Sequence, residues 1–174
     1  MQLLSSTTGY AILALAYVGG RNTPWVQVKE IASETGLPQP YLAKILHLLG
    51  RAKLVRTKRG YRGGVALSRP AADLTLLEVA TAVAPVEVSP DCILGFQSCS
   101  DTSPCIMHDF WRGVRQELQR RLAQLTLQDV ATHRGRRGLG LPTPRQVQRQ
   151  FEQPGGLPTY RGSKPTGRFL RKFQ

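Results

Sequence analysis

The chain has 174 residues, with 24 Lys or Arg against 11 Asp or Glu and a net charge of +13. That length can bury enough apolar surface to fold without disulfides or metal as staples, and the charge favours polyanionic partners. The first 20 residues hold no Lys or Arg, and the apolar run YAILALAYV spans only nine. Neither a signal peptide with a basic start nor a membrane-spanning helix of about 20 apolar residues is expected, and the chain reads as cytoplasmic.

Residues 1–85 read as short helices and a hairpin. Tyr10, Ile12, Leu13, Leu15 and Ala16 lie in a segment that is apolar nearly all round, which predicts a buried helix closed by Gly19, Gly20 and Asn22. A second helix fits Val28–Thr35, with Ile31 and Ala32 facing inward and Gly36 just past its end. In LPQPYLAKILHLLGRA, Leu42, Ile45, Leu46 and Leu49 recur at helical spacing, and Pro40 suits the first turn. Two short helices around Gly36 form a helix-turn-helix layout, whose second helix can enter a DNA major groove. The other face of that reading helix carries Gln39, Tyr41, Lys44, His47 and Arg51, donors and aromatics suited to phosphates and base edges.

The stretch LVRTKRGYRGGVALS reads as two strands around a glycine-rich tip. Lys58, Arg59, Tyr61 and Arg62 would make this hairpin a basic wing able to reach phosphates or the minor groove. Basic residues also protect edge strands from aggregation, so the placement beside a reading helix is what favours the wing. Thr75 and Glu78 form a capping box at a helix start.

Residues 86–104 have no period and read as an irregular loop. From Pro104 to Leu125, Met107, Trp111, Val114, Leu118, Leu122 and Leu125 form nearly a heptad seam. The seam could pack on its own domain, but pairing with a second copy is favoured, because a two-fold dimer would present two reading helices to a palindromic duplex. Thr126 and Asp129 cap a last short helix within residues 105–132. From residue 133 onward the chain is rich in Gly, Pro, Arg and Gln. Arg134–Gln174 holds ten Lys or Arg against the one acid Glu152, so disorder is expected, with a short helix allowed in PTPRQVQRQF. Such a tail would add salt-dependent, nonspecific affinity for DNA.

Taken together, these residues resemble the Rrf-two family of winged helix-turn-helix regulators, which includes iron–sulfur cluster regulators and nitric-oxide-sensitive and cysteine-metabolism repressors. The opening MQLL…GYAILAL, the helix LPQPYLAKIL, the wing RGYRGGVAL, LTLLEV, CIMHDFW and TLQDV carry the likeness, over about residues 1–132. The resemblance implies a mainly α fold with a small β-hairpin, a winged helix-turn-helix domain and a long dimerisation helix. It also implies a homodimer on DNA with a metal-cluster loop beside the DNA-binding part.

All three cysteines fall in one segment with the spacing C-x6-C-x5-C-x2-H. Zinc sites commonly use pairs spaced C-x2-4-C, and this chain has none. The wider spacing suits a loop that wraps an iron–sulfur cluster, and the resemblance points the same way. Cys92, Cys99 and Cys105 are the expected ligands. His108, expected on the same helix turn as Cys105, is the candidate fourth ligand, implying a 2Fe–2S cluster with a 4Fe–4S cluster as the alternative. No Asp or Glu precedes Glu30, which counts against the amino-terminal carboxylate that other members use to hold 4Fe–4S. The x6 spacing departs from the x5 of many members, and Ala43 stands where some have Glu. A zinc site, metal-free redox thiols and a cluster carrier remain open as alternatives. No P-loop, GxSxG or dinucleotide glycine pattern is present, so an enzyme is not expected.

Overall fold

The computed structural model describes residues 4–60, 63–83, 94, 100–137 and 144–152. Helix α1 (Ser6–Gly19) opens the fold. The Ser5 side chain accepts from Thr8 N–H at its start, and Gly20 closes its end. It is buried nearly all round, with Ala11, Ala14 and Leu15 fully enclosed, because later helices and the hairpin pack on several of its sides.

Helices α2 (Val28–Thr35) and α3 (Gln39–Arg51) form the helix-turn-helix. Gly36 sits between them at φ 74°, a left-handed conformation that glycine adopts without a Cβ penalty. The predicted stripe Leu42, Ile45, Leu46 and Leu49 is buried. Strands β1 (Val55–Lys58) and β2 (Gly64–Leu67) pair antiparallel, Val55 opposite Leu67 and Lys58 opposite Gly64. Val26 adds one further rung: its N–H donates to Val65 at 2.9 Å and its carbonyl accepts from Val65 at 2.8 Å. Gly64, at φ 155°, permits this approach; a Cβ there would lie 2.4 Å from the Val26 oxygen. The hairpin is thereby tied to the residue just ahead of α2.

Helix α4 (Leu76–Val83) starts with the predicted capping box, Glu78 N–H donating to Thr75 Oγ1 and Thr75 N–H to Glu78. The Thr75 N–H, with Arg69, holds the Glu78 carboxyl below the usual carboxylate range. Helix α6 (Leu127–Arg137) starts the same way from Thr126 and Asp129. The two starts are stitched together: Leu76 N–H donates to Leu125 O at 2.8 Å and Leu127 N–H to Leu74 O at 2.9 Å.

Between them runs α5 (His108–Gln124), which packs on α4. The sequence placed Cys105 inside this helix. The structure starts the helix at His108, and Cys105 lies in the turn before it, its carbonyl accepting from His108 N–H at 2.9 Å. The seam expected to favour a second copy is partly used at home, since Trp111 and Leu122 are buried within the chain. Helix α6 continues to Arg137, past the expected start of disorder, and α7 (Pro144–Glu152) forms where a short helix was allowed and rests on α2. Among the described residues no helix is long and apolar enough to cross a membrane.

Candidate nucleic-acid interface and metal centre

The face of α3 that points away from its buried stripe meets the wing across an open groove of about 1090 Å³. His47 and Arg51 line it from α3, and Lys58 and Arg59 from the wing. Gln27 and Lys29, at the start of α2, complete it; these two were not singled out from sequence, because only the Val26–Val65 rung brings them beside the hairpin. The groove is open and cationic, and Gly60, Gly63 and Gly64 line its wing side. Arg56, at the foot of the wing, stacks its guanidinium over Trp25 at 5.9 Å.

Gln39 and Lys44 are exposed on α3 outside the groove. Tyr41 is placed differently from its neighbours. It is half-buried, its hydroxyl lies 2.8 Å from Thr7 Oγ1, and its ring meets Tyr10 edge-on at 6.0 Å. Tyr41, expected to face DNA, is tied to α1 through these two contacts. Burial, with Tyr41 beside it, pushes the Tyr10 hydroxyl up from its ordinary pKa. Tyr61 and Arg62 lie outside the described residues.

Of the four expected metal ligands, Cys105 and His108 are described, and Cys92 and Cys99 lie outside the described residues. Among the described residues no three metal-binding side chains converge. Cys105 is partly exposed. His108 is 5% exposed, far from the surface histidine that a helix start often carries, and its Nε2 lies 2.8 Å from Asp101 Oδ1. A carboxylate on an imidazole is the arrangement that fixes ring orientation and basicity in metal-ligating histidines. One turn on, Trp111 Nε1–H is buried without a hydrogen-bond partner among the described residues, and buried donors of this kind are normally satisfied. A cysteine sulfur, an oriented imidazole and an N–H able to bond sulfur suit an iron–sulfur cluster in their donor chemistry.

The sequence model of the Rrf2 family, described as iron-dependent transcriptional regulators, matches residues 4–133. A chain of Aquifex aeolicus named as an HTH-type transcriptional regulator is 30% identical over 130 residues, covering 74% of this chain and 90% of that one. The HTH-type transcriptional regulator IscR of Vibrio atlanticus is 29% identical over 131 residues, 73% of each chain. Among solved structures, the global cysteine regulator CymR of B. subtilis superposes with a TM-score of 0.63 at 22% identity, covering 76% of this chain and 98% of that one. IscR of T. potens gives 0.59 at 21%, covering 80% and 92%. These last two likenesses establish the fold, mostly helical with a small two-stranded wing. The relatives are regulators of transcription, not enzymes, and the chain described here belongs to the Rrf2 family of DNA-binding transcriptional regulators.

Proposed function

We propose that the protein is a homodimeric regulator that grips a palindromic duplex through the groove between α3 and the wing. It senses redox state, nitric oxide or iron–sulfur status through a cluster, 2Fe–2S by preference, held by Cys92, Cys99, Cys105 and His108. The observation that carries the sensing half is the buried His108 imidazole, oriented by Asp101 one turn after Cys105. When bound, such a cluster supplies a centre that oxygen, nitric oxide or iron shortage alters. The chain's own residues then relay the state. His108 and Trp111 sit at the start of α5, α5 packs on α4, and α4 packs on both α1 and α3. Only a difference in DNA affinity between the two states makes this a switch.

Pairing is supported by the apolar side chains that α5 and the turn before it leave uncovered. Ile106 is 95% exposed and Phe110, one turn on, 60%. A cluster-free reading, with zinc or the thiols themselves as the responsive site, draws on the same His108 contact. Nε2 already faces Asp101, so ligation through that atom requires Asp101 to yield.

The deciding experiment is anaerobic purification with a visible spectrum and analysis for iron, sulfide and zinc. Absorption that bleaches in air or nitric oxide, with equal iron and sulfide, is the expected result. A colourless protein that carries zinc, or no metal after anaerobic reconstitution, removes the cluster and leaves a thiol- or zinc-dependent regulator.

A further inference from the structure

The family match ends at residue 133, yet the chain folds again beyond it. Helix α7 lies against α2, the first helix of the helix-turn-helix, and its Val147 is fully buried within the main core. A nine-residue helix of this composition is not stable alone in water, so the contact with α2 is what holds it. Its outward side chains include Arg145 and Arg149, both exposed. They are one turn apart and therefore share a face. Three cations of α5 are spent on neighbours: Arg112 on Asp109, and Arg120 and Arg121 on Glu117. Among the described residues neither Arg145 nor Arg149 has an ion-pair partner. The first helix of a helix-turn-helix crosses the DNA backbone while the second enters the groove. A cationic helix docked on that first helix is thus carried beside the duplex.

We propose that α7 is a second phosphate-binding element, which extends the grip of each subunit on duplex DNA beyond the reading helix and wing. The proposal rests on the DNA-binding role of the α3–wing groove. It assigns part of the basic tail a docked position rather than a diffuse one.

The test uses the full-length protein and the duplex it selects most strongly from a random library, with a scrambled duplex as control. Arg145→Gln/Arg149→Gln keeps good helix formers and the docked Val147. The slope of log affinity against log salt should fall by about 1.8 per subunit, roughly 0.9 for each phosphate that is no longer neutralised. Both duplexes should be weakened alike, the thermal midpoint should hold, and the hydroxyl-radical footprint should shrink at its edges. Val147→Asp, which undocks the helix, should weaken binding in the same way. An unchanged slope and footprint in the double variant would make α7 only a brace for α2 and overturn the proposal. Tighter binding would overturn it in favour of an inhibitory role. Lys58→Ala/Arg59→Ala tests the groove separately. If that variant also binds like the parent, the DNA reading of the groove falls, and the proposal with it.

Discussion

The hydroxyl of Tyr41 meets Thr7 Oγ1 at 2.8 Å, so the one aromatic on the reading helix fastens that helix to α1. The residue's spacing puts it at the edge of the exposed face, where sequence alone cannot tell an anchor from a reader. Tyr41→Phe should lower stability by about 1 kcal/mol, the ordinary net value of one hydrogen bond. Its affinity for DNA at fixed salt should stay unchanged. Chemical denaturation and a binding titration on the same preparation check both halves. A marked loss of sequence preference with full stability would make Tyr41 a reader after all.

Gln39 and Lys44 are exposed in the first half of α3, the part of a reading helix that contacts base edges. Substituting either with Ala should cost about 1–3 kcal/mol on the preferred duplex and much less on a scrambled one. Arg51→Ala, from the groove wall, should instead weaken both duplexes and reduce the salt slope by about 1. Equal weakening by all three would mark them as phosphate contacts together.

Asp101 holds the imidazole of His108 while remaining largely exposed itself. If His108 is a ligand, Asp101→Asn should speed cluster loss about 10–100-fold, the usual effect of removing the partner of a ligating histidine. Bleaching under controlled oxygen is the measurement. A bleaching rate equal to that of the parent, in a variant that holds the same iron, would assign the contact to folding alone.

Glu78 and Asp129 have carboxyls held below their ordinary pKa, first by the backbone N–H groups of Thr75 and Thr126. A depressed folded-state pKa contributes stability that is present above the unfolded value and lost as pH falls through the folded one. Thermal midpoints should therefore decline below about pH 4.5. Thr75→Ala should cost about 1 kcal/mol at neutral pH, as caps do, whereas Glu78→Gln, which removes the titrating carboxyl, should flatten the acid decline. A variant that loses stability equally at pH 7 and pH 3 would argue against linkage through Glu78.

Gly64→Ala places a Cβ against the Val26 carbonyl in a backbone conformation that disfavours L side chains. A loss of more than about 1 kcal/mol is expected, with faster amide exchange at Val26 and Val65. Unaltered exchange at those two amides would show that the rung tolerates the change.

The elements nearest in sequence were the most legible. The spacing of Leu42, Ile45 and Leu49 and the single Gly36 specify the helix-turn-helix locally, and the caps at Thr75 and Thr126 announce their helices within three residues. What could not be read depends on chain segments that meet only in the folded state. Gln27 and Lys29 join the groove because Val26 pairs with Val65. Val147 and Phe151 are the two large apolar residues of a polar segment, too little to suggest burial of Val147 until α2 offers it a site. The start of α5 falls later than its apolar spacing suggests: Cys105 lies in a turn ahead of the helix, its carbonyl accepting from His108 N–H.

The two bonds between Leu74–Leu76 and Leu125–Leu127 have a consequence for how such a protein changes over time. The chain that leaves the core after α4 and returns along α5 does so between two ends sewn together at its root. Residues inserted or deleted within it do not displace that root, and lengthening a loop adds little entropic cost. The extra residue between Cys92 and Cys99 falls inside this sling. Chain length between α4 and α5 can thus vary while the root that joins the starts of α4 and α6 stays in place.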